Sequence, residues 1–263
     1  MSDSHPGFGV RLTPELREQF DRDGFLLLPG LLNPQEVEWL SRIARLDHQA
    51  ATSASRADGE GGSIRLHVEN DLTDDIYSAI CRSGRIVDLA EGVLGEEVYH
   101  WHHKLILKEP RVGGAWAWHQ DYGYWYHNGC LEPRLVSCLL AIDRATRANG
   151  CLQVVRGSHR LGRLDHGKVG DQTGVADVER LEAILARHEL VHCELEPGGA
   201  VLFHSNLLHR SDQNHSDHPR WAFICCYNAR SNSPYKATRH PGYTRLEKWP
   251  HEQIGVVAGR RLQ

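Results

Sequence analysis

The chain has 263 residues, 40% of them hydrophobic and 24% charged, which suits one large globular domain or two small ones. No apolar run approaches the ~20 residues that span a membrane, and residues 1–16 lack the basic and apolar regions of a signal peptide. A net charge of −4 with scattered signs argues against the basic stripe of a nucleic-acid-binding protein. We therefore expect a cytoplasmic protein without membrane or nucleic-acid partners.

The cysteine and histidine contents point in different directions. The seven cysteines form no C-x-x-C pair and most lie in apolar segments, which favours buried free thiols over a disulfide or zinc framework. The 18 histidines stand against a single methionine. Because histidine is the commonest metal ligand, this number raises the expectation of a metal site without placing it.

The N-terminal region reads as helices around one short strand. Thr13 is a typical N-cap followed by a proline at the first helical position, so a helix is predicted from Pro14. The apolar run at 25–32 predicts a strand that breaks at its Pro-Gly pair. A second helix opens at Asn33, with Glu36 placed to complete a capping box.

Further along, residues 53–63 have the Ser- and Gly-rich composition of a mobile loop, and a third helix is predicted across 75–94. From about residue 97 the sequence pattern changes to predicted short strands separated by turn signals, which is typical of a β-sandwich or barrel. One helical insertion interrupts these strands at about 175–190. We predict a single domain, 1–263, with a helical N-terminal layer (1–96), a β core (97–230) and a C-terminal extension (231–263).

The first chemical motif is His119-Gln120-Asp121. In an extended segment residues i and i+2 point the same way, so His119 and Asp121 can hold one cation from one side. Two histidines and one carboxylate on one face are the ligands of non-heme Fe(II) oxygenases. The pattern is not unique in this chain, because three other H-x-D/E matches begin at His67, His192 and His215. His119 is favoured because Gly-Gly precedes it and an aromatic run follows it.

A third ligand should come from a distant strand. The segment 197–223 offers four histidines, of which His209 lies between two predicted strands, near a strand end. His204 is the alternative ligand. Arg220 begins the next strand, where its guanidinium could bind a carboxylate of an acidic cosubstrate.

Together these motifs resemble a known family. The combination of "WHQD…W", "NGCLQVVRGSHR", His-x-Ser and an Arg eleven residues after that His is similar to the phytanoyl-CoA dioxygenase family, which includes the ectoine hydroxylases. The resemblance implies a mainly β fold, a double-stranded β-helix (jelly-roll, cupin-like) core with flanking helices. It also implies a dioxygenase that uses Fe(II), 2-oxoglutarate and O2 to hydroxylate an unactivated C–H bond of a small-molecule substrate, with release of succinate and CO2.

The resemblance also assigns residues. His119, Asp121 and His209 match the iron ligands, whereas Arg220 and Ser211 match the pair that holds the distal carboxylate of 2-oxoglutarate. The remaining matches are one cosubstrate contact, one substrate-side tryptophan and one position where the family often has Trp; these are Lys104, Trp125 and Leu139, respectively. Because Asp121 is present, the related halogenases, which lack this carboxylate, are disfavoured.

The aromatic run after the metal motif suggests a substrate pocket. If residues 121–126 continue a strand, Asp121 and Trp125 share one side, and Tyr122 and Tyr124 the other. We expect one set in the core and the other against the substrate. Clustered aromatic faces can hold a quaternary ammonium group, so one hypothesis is a zwitterionic or trimethylammonium substrate, including one that carries an acid or phosphonate group.

Three alternatives remain at this point. An acyl-CoA substrate is disfavoured because no dense Lys/Arg cluster is present to meet its phosphates. A cupin-like zinc or manganese hydrolase or isomerase would not depend on 2-oxoglutarate. A catalytically silent barrel would bind a ligand or partner without turnover. Neither of the last two requires Arg220 and Ser211 beyond His209.

Overall fold

The computed structural model describes residues 10–50, 54–58, 62–169 and 171–263. The stretch 1–9, in which no signal peptide is expected, and residues 53 and 59–61 of the predicted loop lie outside the described residues. None of the described helices combines the length and the apolarity that a membrane crossing requires.

The helices lie before, between and after the strands along the chain. They are α1 (Pro14–Asp23), α2 (Pro34–Ala50), α3 (Ile76–Arg82), α4 (Gly84–Leu94), α5 (Asp121–Trp125), α6 (Val178–Leu185) and α7 (Glu252–Leu262). The strands are β1 (Phe25–Leu28), β2 (Ala54–Ala57), β3 (Ser63–Glu69), β4 (Val98–Lys108), β5 (Trp116–His119), β6 (Leu135–Ala141), β7 (Leu152–Val155), β8 (His166–Val169), β9 (Gln172–Val175), β10 (Leu190–Cys193), β11 (Ala200–His204), β12 (His209–Ser211) and β13 (Arg220–Ala229).

The N-terminal capping predictions are confirmed. Thr13 Oγ1 accepts from the Leu16 amide at 3.3 Å at the start of α1. At the start of α2, Asn33 and Glu36 form a reciprocal capping box, with both backbone-to-side-chain distances at 2.9 Å.

Two local predictions need correction. The predicted helix across 75–94 is two helices, because the chain leaves helical geometry at Ser83 (φ −59°, ψ 122°) before α4 begins. Residues 54–57 of the predicted loop form strand β2, which pairs with β3 in antiparallel register. Residues 54–57 form a strand because they pair with β3, and the composition of a segment does not indicate such pairing.

The strands form two antiparallel sheets and a hairpin. The large sheet has the order β1-β11-β6-β13-β4-β3-β2, the small one β10-β7-β12-β5, and β8 pairs with β9. One hydrophobic core lies inside the β structure, with Trp101, Phe203 and Leu207 among its fully buried members. A second core lies between the outer face of the large sheet and the helices. The mainly β, jelly-roll prediction with a helical layer is confirmed.

The C-terminal extension returns to both parts of the molecule. Helix α7 packs against α2 and α3, so it completes the helical layer. Before it, His240 is buried and stacks on Trp101 at 4.5 Å between ring centroids. The division of the chain at residues 96 and 230 stays a prediction.

Candidate metal centre and its cavity

Three side chains from the small sheet and from the short helix that follows β5 meet at one point. His119 is the last residue of β5, Asp121 the first of α5 and His209 the first of β12. Because β5 and β12 are antiparallel neighbours with His119 opposite His209, their rings lie 4.0 Å apart. Asp121 Oδ1 is 3.8 Å from His119 Nε2 and 4.0 Å from His209 Nε2. The three donor atoms all lie within 4.8 Å of one another, as one cation would require.

Hydrogen bonds behind the three ligands orient them. His119 Nδ1 lies 2.8 Å from the carbonyl of Ala117, and His209 Nδ1 lies 2.9 Å from that of Leu207. A carbonyl can only accept, so each Nδ1 is the protonated nitrogen and each Nε2 lone pair faces the centre. Ser137 donates to Asp121 Oδ2 at 2.8 Å, which leaves Oδ1 toward the same point.

Burial keeps both histidines in the form that binds metal. Desolvation lowers the pKa of His119 well below its ordinary value, with the neighbouring His209 adding to the effect. Burial also lowers the pKa of His209. Both rings are therefore neutral at neutral pH, with lone pairs available. Two imidazoles and one carboxylate on one side of a cation leave open positions, and this donor set fits Fe(II).

Gln120, between two of the ligands, is a brace that the sequence motif did not reveal. Its side chain is fully buried and donates to the carbonyls of Gly162 (2.9 Å) and Asn206 (2.8 Å), and it accepts from the Leu164 amide (2.7 Å). Its backbone N–H donates to His166 Nε2 at 2.9 Å. These bonds fix the segment from which His119 and Asp121 project.

The ligands border a cavity of about 300 Å³ inside the β structure. Arg220 and Ser211 line it and are both buried. Arg220 Nη2 donates to the Gly150 carbonyl at 2.8 Å, whereas its buried Nε has no hydrogen-bond partner among the described residues. Burial lowers the pKa of Arg220 to about 10, so it remains charged at neutral pH. An uncompensated buried guanidinium is costly unless an anion joins it.

Lys108 adjoins this pair and was not singled out by the sequence. Its ammonium is fully buried and lies 2.9 Å from Ser211 Oγ. Burial, with Arg220 adding, lowers the pKa of Lys108 well below its ordinary value. In its protonated form the amine has no lone pair, so it donates to Ser211 and the Ser211 proton is free to point elsewhere. Ser211 thereby becomes a hydrogen-bond donor toward the cavity.

Lys104 and Leu139 also line the cavity, where the resemblance placed them. The Lys104 ammonium lies 3.9 Å from Asp121 Oδ1, so it is on the metal side of the cavity. Leu139 presents an aliphatic wall where the family often has Trp.

The aromatic run after the metal motif is a short helix, and the predicted strand there is wrong. Gln120 is extended, but Asp121–Trp125 forms α5. Trp125 and Tyr124 line the cavity. Tyr122 does not: it is buried in the core, and its hydroxyl donates to the Leu131 carbonyl at 2.7 Å. Helical spacing, and not strand alternation, decides which rings face the metal.

The competing histidines have other surroundings. His204, the alternative ligand, accepts from the Asn206 amide and packs 5.4 Å from the His159 ring. His67 forms an ion pair of 3.0 Å with Glu69, in which both side chains are about half exposed. Neither belongs to the cluster around Asp121.

Three further cavity residues carry functional side chains that no local motif marked. His102 faces the cavity, whereas its neighbour His103 faces the helices. Both His102 ring nitrogens are buried without a hydrogen-bond partner among the described residues. Arg239 and His240 reach the cavity from the C-terminal extension, and Arg239 is exposed at its mouth. The fold alone brings them there.

Fold and site together define a class, the non-heme iron oxygenases with two histidines and one carboxylate. The family model for phytanoyl-CoA dioxygenase (PhyH) matches residues 20–222, and the chain belongs to this family. Ectoine dioxygenase of Sphingopyxis alaskensis is 31% identical over 259 residues, covering 93% of this chain and 84% of the relative. L-proline trans-4-hydroxylase of Streptomyces griseoviridis is 28% identical over 243 residues, covering 86% and 90%.

Solved structures agree with this assignment. The crystal structure of EctD from S. alaskensis with 2-oxoglutarate and 5-hydroxyectoine has a TM-score of 0.77 at 28% identity, covering 91% of this chain and 89% of that one. The protein is a 2-oxoglutarate-dependent dioxygenase, and its cofactor and cosubstrates are Fe(II), 2-oxoglutarate and O2. This class displaces the metal hydrolase and the silent barrel as alternatives.

Proposed function

We propose that this dioxygenase hydroxylates an unactivated C–H bond of a small, polar substrate that carries an acidic group, such as an amino acid, a betaine or an aminophosphonate. One observation carries the proposal: the cavity that holds the metal centre is small, and its charged side chains are mostly cationic. Relatives that act on ectoine and on L-proline support a substrate of this size.

The roles of the residues follow from their positions. His119, Asp121 and His209 hold the iron. When bound, iron and 2-oxoglutarate supply the oxidation of a C–H bond by O2, with release of succinate and CO2. Arg220 binds the far carboxylate of 2-oxoglutarate in a bidentate or charge-assisted contact, and Ser211 donates a hydrogen bond to it.

Lys104 is assigned to the metal-side part of the cosubstrate. Its ammonium lies 3.9 Å from a carboxylate oxygen that binds the metal, so a metal-bound carboxylate comes within its reach. In the cavity wall it also separates the cosubstrate from His102, two residues before it on the same face of β4.

The charge balance favours an acidic substrate group. Lys104, Arg210, Arg220 and Arg239 line the cavity, against Asp121 as the lining carboxylate. Arg210 is paired with Asp212, and 2-oxoglutarate neutralises the iron together with Arg220. Once Asp121 is counted as well, these charges sum to zero, so Lys104 near the metal and Arg239 at the mouth remain as cations. Arg239 can attract an anion from solvent, as a cation beside a low-dielectric cleft does.

His102 and the aromatic residues complete the substrate side. His102 is kept neutral because burial lowers its pKa well below the ordinary value, so one ring nitrogen can donate and the other accept. Trp125 lies 5.7 Å from it, and Tyr124 borders the same space. An ammonium group of a zwitterion would be stabilised at these ring faces by about 0.5–2 kcal/mol each.

Size disfavours the acyl-CoA alternative. Ligand pockets typically measure about 300–1,000 Å³, and this cavity of about 300 Å³ must also hold 2-oxoglutarate. Little room remains for a long acyl chain.

The test has two stages. A panel of amino acids, betaines, aminophosphonates and acyl-CoA thioesters is screened for substrate-dependent succinate release with Fe(II) and 2-oxoglutarate. Each active compound is then compared with its neutral amide in the wild type and in Arg239→Gln, with Arg187→Gln, an arginine outside the cavity, as the control. We expect the variant to raise KM for the acid about tenfold, which is the ratio for 1.4 kcal/mol, and to leave the amide unchanged.

Two results would contradict the proposal. One is turnover of acyl-CoA thioesters alone. The other is equal activity on the acid and its amide in both proteins, because Arg239 would then have no role in recognition.

A further inference from the structure

The outer face of β4 carries a second group of metal-binding side chains. His100 and His103 would face opposite sides of a regular strand, because they are three residues apart. The register with β13 shifts between Cys226, opposite His102, and Tyr227, opposite His100, so Trp101 is an extra residue. This β-bulge turns His100 to the side of His103. Both histidines are buried under the helical layer.

Cys81, near the end of α3, meets the two histidines there. One ligand atom from each of the three lies within 4.8 Å of the others. His100 Nε2 and His103 Nδ1 are 3.1 Å apart. Two imidazole nitrogens on one tetrahedral Zn²⁺ stand about 3.3 Å apart at Zn–N distances of about 2.0–2.1 Å, so little movement is needed to admit an ion.

The surroundings suit a divalent cation. The His100 ring donates a hydrogen bond to the backbone carbonyl of Asn70, as metal-binding histidines commonly do to backbone groups. His103 also borders a second cavity, of about 470 Å³, whose wall includes Asp47, Glu69 and Asp71. These carboxylates give a cation an entry path of favourable charge.

We propose that Cys81, His100 and His103 form a second metal site, selective for Zn²⁺ and distinct from the iron centre. Two nitrogens and one thiolate suit a borderline-soft ion, whereas the iron centre uses a carboxylate in place of the thiolate. Water from the adjoining cavity fills the fourth position. The ion ties α3 of the helical layer to β4, whose other face carries His102 and Lys104.

The alternative explanation of the same geometry is a hydrogen-bonded histidine pair beside a buried thiol, with no metal bound. Cys81 Sγ also lies 3.5 Å from Cys225 Sγ, which is an ordinary contact between thiols. The two explanations predict different metal contents of the protein, and only the metal site predicts a thiolate ligand.

The experiment uses Co²⁺ as a spectroscopic probe on metal-free, full-length protein. Co²⁺ bound to a thiolate gives a near-ultraviolet charge-transfer band, and the iron centre has no sulfur ligand. Titrations compare the wild type with Cys81→Ser and His103→Gln, which change the second site, and with His209→Ala, which changes the iron centre. His67→Gln, a histidine on the wall of the same cavity, is the matched control.

We expect the wild type to bind two Co²⁺ per chain and to show the thiolate band. His67→Gln should behave like the wild type. His209→Ala should bind one ion and keep the band. Cys81→Ser and His103→Gln should bind one ion without the band. If the wild type shows no thiolate band, or if the band persists in Cys81→Ser, the site is refuted. The wild-type spectrum decides the matter even if a variant fails to fold.

Discussion

The two faces of β4 carry similar side chains in different surroundings. On the inner face, His102 and Lys104 border the cavity of the iron centre, where charged ligands enter. On the outer face, His103 packs 5.6 Å from the Phe223 ring under the helices. One strand therefore separates a catalytic side from a structural side. Changes on the inner face should alter turnover and ligand affinity, and changes on the outer face should alter stability.

The largest expected effect is at Asp121. Asp121→Ala removes the carboxylate ligand of the iron centre, so Fe(II)-dependent turnover should fall by roughly three orders of magnitude or more. Succinate release and iron content measure this. Asp217→Ala is the matched control, since it changes another H-x-D motif whose Asp is exposed. Comparable losses in both variants would contradict the site.

The next effect is at Arg220. Removing one partner of a buried charge pair costs about 2–5 kcal/mol, so Arg220→Ala should raise the KM for 2-oxoglutarate roughly 100-fold. Arg230→Ala, an exposed arginine just after the same strand, should leave KM unchanged. An unchanged KM in Arg220→Ala would assign the far carboxylate of the cosubstrate to another cation, Lys108 being the nearest.

His240 belongs to neither face of β4, and its burial against Trp101 should make the fold sensitive to acid. Burial, with Arg239 adding, lowers the pKa of His240 to about 4, below the value near 6.5 of an unfolded chain. Between these values the unfolded state binds more protons, so the free energy of unfolding falls as pH drops from 6.5 to 4, by roughly 1 kcal/mol per pH unit. In His240→Gln this contribution should disappear. Urea unfolding at pH 7 and pH 5 would reveal it, and equal pH dependence in both proteins would contradict it.

The smallest effect belongs to the outer face. Tyr77 donates to Asp47 Oδ2 at 2.9 Å across the second cavity. Tyr77→Phe should lower the free energy of unfolding by about 1 kcal/mol and leave kcat and KM unchanged. Tyr235→Phe, whose ring is 65% exposed, serves as the control. A fall in kcat for Tyr77→Phe would show that the two faces of β4 are coupled.

Sequence patterns identified the metal centre because its ligands follow short rules. The i, i+2 spacing of His119 and Asp121 brings them together locally, and His209 was marked by its position near a strand end before Arg220. Strand pairing between β5 and β12 then places His209 opposite His119. The roles of Arg220 and Ser211 in binding 2-oxoglutarate stay predictions until the cosubstrate affinities are measured.

The missed features depend on contacts between distant segments. The run after His119 was predicted as a strand, but it forms α5, in which a Cβ at Gly123 would overlap the His166 ring. The local sequence pattern does not show this packing. Arg239 and His240 belong to no motif. Only the return of the chain to the cavity gives them a function, and no periodicity encodes that return.

That return has a consequence for how the pocket of this protein can be altered. The family match ends at residue 222, whereas Arg239 and His240 lie beyond it, in a segment outside every helix and strand. A stretch of chain that pairs with no sheet can be lengthened, shortened or exchanged without shifting any strand register. The C-terminal segment is thus the part of the pocket wall that can be exchanged with the least disturbance to the sheets that hold the iron centre.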